Sequence, residues 1–424
     1  MEFKRTILEN GIRLITIPMP SIASATVLVM IGTGSRYEIS ENNGISHFLE
    51  HMSFKGTKKR PTAREIVSII DSMGGQWNAF TGKEVTGFFV KSAASHLDIS
   101  LDIISDILIN STFPKEELEK ERGVIIEEIN MYEDTPIRDI PDVYERLVFG
   151  DNALGWNTGG RKEVIRKVSR EDFVDYVEKH YSPSNMSVIV AGGIHPEKTI
   201  EMVKKYFSEM KPFDTLGYEK VVVKQDKPRA YLKKKKTEQV HLALGVLGPS
   251  LKSPERYPLA VLATILGGGG SSRLFNEIRE KRGLAYYVRT MPQHYLDNGT
   301  FTTFSGLNKE KIDEAIKVIL EEHRIIKENA LTIGKDELIK TKEMLKGHLV
   351  LELEDSRNVA AFFGEQEILE ETIETPEEAM KKIDDVTNEQ LHDMAKKYFL
   401  GSHLNLAIIG DFEDIKPFEK LLEL

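Results

Sequence analysis

Two histidines and a glutamate lie within five consecutive residues and could together bind a metal ion and move a proton. His47, Glu50 and His51 follow the order His-x-x-Glu-His, the inverse of the commoner His-Glu-x-x-His zinc helix. On a helix, the two imidazoles are one turn apart and point the same way. Imidazole nitrogens bind Zn²⁺, and a carboxylate beside the metal can act as a general base. Three fixed residues also match by chance now and then, so other parts of the chain must support this interpretation.

The residues around the motif predict an amphipathic helix that presents the histidines on one side. Apolar residues recur at i, i+3, i+4 and i+7 on the other side, which is the spacing of a face that packs on a core. Asn43 is expected to cap the start of this helix, and Gly56 is expected to end it. The apolar stripe consists of Ile45, Phe48, Leu49 and Met52.

A third ligand is expected from the helix predicted over residues 115–133, because zinc in a catalytic site takes three protein ligands. Glu121 and Glu128 are seven residues apart, in the gap between the main apolar arc and a smaller apolar patch. A carboxylate there is costly unless it is paired or bound to a cation. Glu127 lies on the opposite side and can stay in water. The spacing therefore favours Glu128 or Glu121 over Glu127, and simple pairing of both with lysine or arginine is the open alternative.

Composition and charge exclude several classes of protein. The 424 residues carry a formal net charge of −10, which argues against a nucleic acid or an anionic membrane as partner. The chain has no cysteine, so disulfides and thiolate zinc sites are excluded. The N-terminus lacks the apolar segment of a signal peptide. We therefore expect a cytoplasmic protein whose metal ligands are histidine and carboxylate.

The chain is expected to form two related domains. The sequence around Ser169 and Tyr181 resembles that around Thr387 and Phe399, at a constant offset of 218 residues, which indicates a duplication. Strand and helix patterns are mixed and begin with a hairpin around Asn10-Gly11, which favours an α+β fold. We predict a metal-bearing domain over residues 1–212, a linker over 213–228 and a second domain without a metal motif over 229–424.

With these residues in place, the chain resembles the inverzincin zinc peptidases, the family of pitrilysin, insulysin and mitochondrial processing peptidase. The resemblance rests on the motif, on Glu128 seventy-seven residues after His51, and on flanking runs that extend over nearly the whole chain. It is closest to the short, two-roll branch that includes bacterial processing-peptidase-like proteins. It implies two homologous α/β rolls, with mixed or antiparallel sheets and packed helices, that enclose a cleft. The matching runs are 34–38, 44–57, 75–81, 121–128, 272–274 and 279–286.

The resemblance implies a role for each residue of the metal site. His47, His51 and Glu128 would bind one Zn²⁺ per chain. Glu50 would be the general base that activates zinc-bound water. Glu121 would orient a histidine or support the ligand set by contacting a ligand and not the metal ion itself.

The resemblance also implies residues that bind substrate. Asn78 and Ala79 match an edge strand that pairs with the substrate backbone in relatives. Phe54 and Phe80 would line the pocket beside the scissile bond, although each could equally belong to the core. A catalytic pair from the second domain is also expected: Arg279 and Tyr286 would hold the substrate carbonyl and stabilise the oxyanion.

The expected function is a zinc-dependent endopeptidase that hydrolyses unfolded peptides or presequence-like segments. The alternative is a non-catalytic or substrate-guiding subunit of a heteromeric complex resembling a processing peptidase. Subunits of that kind typically lose zinc ligands or the glutamate, whereas this chain has all of them. Since relatives usually close a chamber with four rolls, a dimer is expected, either a homodimer or a heterodimer with a homologue. No nucleic-acid or membrane partner is expected.

Overall fold

The first half of the chain forms a mixed sheet with helices. A computed structural model describes residues 1–370 and 372–424, and only the backbone of Ala330. The strands of this half are β1 (Lys4–Ile7), β2 (Arg13–Pro18), β3 (Ser24–Ile31), β4 (Gln76–Thr81), β5 (Thr86–Ala93) and β6 (Met186–Gly192). Its helices are α1 (Ile45–Ser53), α2 (Ala63–Ser72), α3 (Leu97–Ile109), α4 (Lys115–Asp134), α5 (Pro136–Phe149), α6 (Lys162–Ile165), α7 (Arg170–His180) and α8 (Pro196–Phe207).

The second half repeats the mixture of strands and helices. Its strands are β7 (Arg229–Lys234), β8 (Val240–Leu247), β9 (Ala285–His294), β10 (Gly299–Leu307) and β11 (Asn405–Gly410). Its helices are α9 (Arg256–Gly267), α10 (Ile312–Glu328), α11 (Lys335–Glu352), α12 (Ser356–Leu369), α13 (Pro376–Asp384), α14 (Asn388–Tyr398) and α15 (Lys416–Glu419). Among the described residues, no helix combines the length and apolar character needed to cross a bilayer.

The five strands of the second sheet follow the same order and relative directions as five of the six strands of the first. The first has the strand order β1-β2-β6-β3-β5-β4, and the second has the order β7-β11-β8-β10-β9. In each sheet one strand pair is parallel, β2 with β6 and β7 with β11, and the other pairs are antiparallel. Helices α7 and α14 also begin with the same capping box, at Ser169 and Thr387. Both observations agree with the duplication predicted from the sequence.

The chain packs into two compact units whose limits differ from the predicted domain boundaries in two segments. The first unit comprises Met1–Asn130, Trp156–Glu219 and Val350–Glu377, and the second comprises Met131–Gly155, Lys220–Leu349 and Glu378–Leu424. Within the first unit α12 packs on β3 and β6, and within the second α5 packs on β8 and β11. Each sheet is thus covered in part by a helix from the other half of the sequence. Residues 210–226, within which the first unit gives way to the second, contain no helix or strand.

One buried histidine in the second unit lowers the stability of the fold in acid. His323 is fully buried, neither ring nitrogen has a hydrogen-bond partner, and the ring stacks on Phe399 with the centroids 4.3 Å apart. Burial lowers the pKa of His323 to about 3, because the charged ring would lose its hydration. As the pH falls, His323 therefore becomes protonated in the unfolded chain at a higher pH than in the folded protein. The free energy of unfolding falls as the pH drops from about 6.5 towards 3.

Replacing His323 with leucine should make the fold less sensitive to acid. Between pH 7 and pH 4.5 the variant should lose about 2–3 kcal/mol less unfolding free energy than the wild type, by the proton linkage of one histidine. Urea unfolding at the two pH values measures this difference, with His348→Leu on the exposed surface of α11 as the control. Equal pH dependence in the His323 variant and the wild type would contradict the prediction.

Candidate metal centre

A buried carboxylate from outside the helix fixes the start of α1. Glu38 accepts hydrogen bonds from the backbone N–H groups of Gly44 at 2.7 Å and Ser46 at 2.9 Å, and from the side-chain amide of Asn43 at 3.0 Å. Burial raises the pKa of Glu38 to about 7. The expected cap by Asn43 is therefore wrong: Gly44, with φ +97°, occupies the cap position, and Glu38 receives the free N–H groups. The helix ends at Ser53, before the predicted Gly56.

The two faces of α1 are separated as the spacing predicts. All four residues of the apolar stripe are buried in the core of the first unit. On the other face, Nε2 of His47 lies 3.7 Å and Nε2 of His51 lies 3.4 Å from the same oxygen, Oε2 of Glu128 on α4. Glu127 is exposed and contributes nothing to this cluster. Among the described residues, these three form the one group of potential ligands close enough to share a metal ion.

The distances within this cluster fit a zinc ion. Two ligand atoms at about 2.0–2.1 Å from a tetrahedral Zn²⁺ are about 3.4 Å apart, close to the nitrogen–oxygen distances observed. Two imidazoles and one carboxylate are also a common ligand set for zinc with an open position for water. The residues present therefore fit the metal that the sequence predicts.

Glu121 contacts His51 from the side opposite the metal face. Its Oε2 lies 3.1 Å from Nδ1 of His51, and its Oε1 lies 2.5 Å from Nζ of Lys55. Such a carboxylate fixes the tautomer of a metal-binding imidazole, so that Nε2 stays free for the ion. Of the two roles expected for Glu121, the geometry therefore favours orientation. Lys55 was not predicted, because it follows the end of α1 and helical spacing does not place it.

The two histidines have opposite electrostatic surroundings. Burial, together with the nearby His51, lowers the pKa of His47 to about 4. Burial also disfavours a charged His51, but its hydrogen bonds to Glu121 and Glu128 outweigh that effect and raise its pKa to about 9. The hydrogen bond from His51 lowers the pKa of Glu128. The pKa of Glu121 is lowered as well, so two ionised carboxylates lie beside the imidazoles.

Glu50 is held in place by the last residue of β4. The hydroxyl of Thr81 donates a hydrogen bond to Oε2 of Glu50 at 2.5 Å. Burial raises the pKa of Glu50, although this hydrogen bond opposes the effect. A carboxylate of raised pKa beside a metal is suited to accept and return a proton. No sequence pattern pointed to the contact, because its partners are 31 residues apart.

Strand β4 offers an unpaired edge for a peptide. It is an outer strand whose partner in the sheet is β5, and Gly82 at its end donates its N–H to Val85. Because N–H groups alternate along an antiparallel strand, those of Ala79 and Thr81 point away from β5. The Ala79 N–H is bonded by Oδ1 of Asn78 at 2.9 Å. Asn78 and Ala79 therefore lie on an edge strand, and their role in substrate binding stays a prediction.

The two phenylalanines expected to line the substrate pocket are in different environments. Phe54 is 6% exposed and packs against Trp77 in the core, with ring centroids 4.5 Å apart. Its ring is part of the core of the first unit, and its role in lining a substrate pocket stays a prediction. Phe80 is half-buried, and its ring lies against the backbone of Gly87. Its role in substrate binding stays a prediction.

Arg279 and Tyr286 lie close to each other in the second unit. Arg279 belongs to a π-helical segment, Phe275–Glu280, and its guanidinium is 4.9 Å from the ring centre of Phe275 and 5.7 Å from that of Tyr286. Tyr286 is 73% exposed at the start of β9. An exposed tyrosine beside an arginine is available to a ligand. Their roles towards a substrate stay predictions.

Two family models match the chain. The model for insulinase, peptidase family M16, matches residues 13–157, the range that includes every residue of the candidate metal centre. The model for the peptidase M16 inactive domain matches residues 167–345, a range without a cluster of potential metal ligands among its described residues.

Similar proteins cover nearly the full length of the chain. An uncharacterized zinc protease of Bacillus subtilis is 37% identical over 96% of this chain and 98% of its own length. An uncharacterized zinc protease of Streptomyces coelicolor is 34% identical over 97% of this chain and 90% of its own length. The crystal structure of a protease from Helicobacter pylori has a TM-score of 0.89 and 25% identity over 96% of this chain and 99% of its own.

The predicted two-domain α+β fold is also confirmed by a second, more distant structure. The peptidase M16 inactive domain from Pseudomonas fluorescens has a TM-score of 0.89 at 16% identity, over 97% of this chain and 98% of its own. At that identity the similarity concerns the fold alone.

Proposed function

The chain belongs to peptidase family M16, the insulinase family, and we propose that it is a zinc-dependent endopeptidase acting on unfolded peptides or presequence-like segments. The observation that carries the proposal is the convergence of His47, His51 and Glu128, with Glu50 beside them on the same face of α1. One zinc ion per chain is proposed because the described residues contain one cluster of potential ligands. Zinc proteases among the relatives give further support.

In the proposed reaction Glu50 moves the proton. When bound, zinc supplies a Lewis acid that lowers the pKa of water and polarises a carbonyl group. Glu50, held by Thr81, accepts a proton from the attacking water as the new carbon–oxygen bond forms. It then donates that proton to the amine nitrogen as the peptide bond breaks. Arg279 and Tyr286 are proposed to hold the carbonyl oxygen and stabilise its negative charge, in the same chain or across an interface.

The substrate is proposed to bind as an added strand on β4. Backbone hydrogen bonds give affinity with little dependence on side chains, and they require an extended, unfolded segment. The carbonyl of such a segment would replace Oδ1 of Asn78 at the N–H of Ala79. Folded proteins have few free extended segments, so unfolded peptides are the proposed substrate class.

Replacing Ala79 with proline should weaken substrate binding without disturbing the sheet. Proline removes the N–H that faces the open edge, and it is tolerated on edge strands when that group is not part of the ladder. Loss of one hydrogen bond should lower kcat/KM for an unstructured peptide by about 3- to 10-fold. The measurement is hydrolysis of a quenched fluorescent peptide by Ala79→Pro and by Ala79→Ser, which keeps the N–H. An equal loss in the serine variant, or none in the proline variant, would refute the edge-strand proposal.

A second candidate function is that of a non-catalytic subunit that guides substrate to an active homologue. It is disfavoured because the ligands and Glu50 are all present and because the "inactive" family model covers residues 167–345, whose described part contains no cluster of potential metal ligands. Hydrolysis by the purified chain alone distinguishes the two functions.

We also propose that the protein acts as a dimer in the cytoplasm. The dimer is supported by its resemblance to relatives that close a chamber with four rolls, since this chain has two. A homodimer is favoured, and a heterodimer with a homologue is the alternative. The lack of cysteine fits a reducing compartment. A monomer in sedimentation experiments with substrate present would overturn the dimer.

A further inference from the structure

We propose that Thr81 is a positioning residue that holds Glu50 in the orientation needed for proton transfer and joins this base to the substrate-binding edge of β4. The proposal rests on the proposed function, since it assigns Thr81 a role in the same reaction. It goes beyond that function because it assigns two tasks to one strand: β4 both pairs with the substrate peptide and positions the general base.

The contact on which it rests is short and lies within the first unit. The Thr81 hydroxyl donates to Oε2 of Glu50 at 2.5 Å, and both side chains are half-buried. Hydrogen bonds to an ionised acceptor are shorter and stronger than those between neutral groups. One carboxylate oxygen of Glu50 is thus occupied by a fixed donor, which leaves Oε1 for a water molecule or a leaving amine.

The donor itself has little freedom. Thr81 is the last residue of β4 and lies opposite Thr86 of β5, whose hydroxyl is bonded to the backbone oxygen of Thr33. A β-branched side chain on a strand has restricted rotation about χ1. Glutamate is more flexible, and fixing its side chain costs up to about 2 kcal/mol of conformational entropy. Because the hydrogen bond from Thr81 already restricts the Glu50 side chain in the free protein, less conformational entropy is lost when substrate binds.

The same strand presents the edge for the peptide. The backbone groups of Ala79 and Thr81 both point away from β5, by the alternation along an antiparallel strand. A peptide that pairs with this edge at Ala79 therefore continues alongside Thr81, whose side chain holds the base. Pairing also restrains β4 itself, so that substrate binding and the orientation of Glu50 depend on one element.

The test compares two replacements of Thr81 that differ in the hydroxyl. Thr81→Val keeps the shape and removes the donor, whereas Thr81→Ser keeps the donor. For an unstructured quenched peptide, the valine variant should lose about 10-fold or more in kcat, with KM within about 2-fold, and the serine variant should recover most of the rate. Zinc content and thermal midpoint should match those of the wild type in both variants. Thr81→Ala, a second variant without the hydroxyl, should behave like Thr81→Val.

Three outcomes would overturn the proposal: a valine variant as fast as the wild type, a serine variant as slow as valine, or a rate that falls only in step with zinc content or thermal stability. The last outcome would mean that Thr81 has a purely structural role. A double-mutant cycle adds a separate criterion. In a Glu50→Gln background, Thr81→Val should cause no further loss, because the group it positions is already absent; a full additional loss would also overturn the proposal.

The cycle separates this inference from the proposed function. If Glu50→Gln abolishes hydrolysis while Thr81→Val leaves it unchanged, only the role of Thr81 fails. If Glu50→Gln is fully active, both the proposed mechanism and the role of Thr81 fail.

Discussion

Replacement of Glu50 with glutamine should lower the rate of peptide hydrolysis by about 10²- to 10⁴-fold, the usual contribution of a general acid–base group. Glutamine has the same shape and still accepts a hydrogen bond from Thr81, but it cannot take a proton from water. Because Glu50 is not part of the ligand cluster, the zinc content should stay at one ion per chain. The measurement is kcat for a quenched fluorescent peptide together with the metal content of the same sample.

The control for Glu50→Gln is Glu127→Gln. Glu127 is an exposed glutamate on α4, so the same chemical change there should leave kcat within about 2-fold, as expected for a surface substitution. Full activity of the Glu50 variant would rule out its role as the base. Loss of zinc from that variant would instead mean that Glu50 supports the metal site itself.

Replacement of Glu128 with alanine should weaken zinc binding by more than about 100-fold, the upper range for loss of a contact that only supports a ligand. Its Oε2 lies within 3.7 Å of Nε2 of both histidines, so its removal takes away one of three ligands. Glu127→Ala is the matched control, because it removes an adjacent carboxylate that faces solvent. Zinc that remains after dialysis against a competing chelator measures the difference. Loss of zinc from the Glu127 variant alone would contradict the assignment of the ligands.

The local parts of the site follow from sequence spacing. The two faces of α1 and the choice of Glu128 over Glu127 depend on helical periodicity, which the chain keeps over both helices. Such features depend on residues close in sequence, so a pattern is sufficient to find them.

The features that sequence spacing missed depend on contacts between distant residues. Glu38 caps α1 from outside the helix, where Asn43 was expected, because the carboxylate is buried against the N–H groups of Gly44 and Ser46. Thr81 reaches Glu50 because β4 runs beside α1. Phe54 fits a pocket and a core equally well by sequence, and its contact with Trp77 likewise joins residues distant in sequence.

Packing also divides the chain in a way that periodicity does not reveal. Helix α12 belongs to the first unit and α5 to the second, although each lies in the other half of the sequence. The buried carboxylate of Glu367 on α12, for example, pairs with Arg5 and Arg13 of the first hairpin. A helix has the same amphipathic pattern whichever sheet it covers, so no local signal gives its partner.

Parallel measurement of zinc content and hydrolysis of an unstructured peptide in three forms of the protein gives the most direct test. The wild type should bind one zinc ion per chain and cleave the peptide. Glu50→Gln should keep the zinc ion and lose the activity, and Glu128→Ala should lose both. An active Glu128→Ala sample without zinc would contradict zinc-dependent hydrolysis at this site, as would a zinc-loaded wild type that cleaves no peptide.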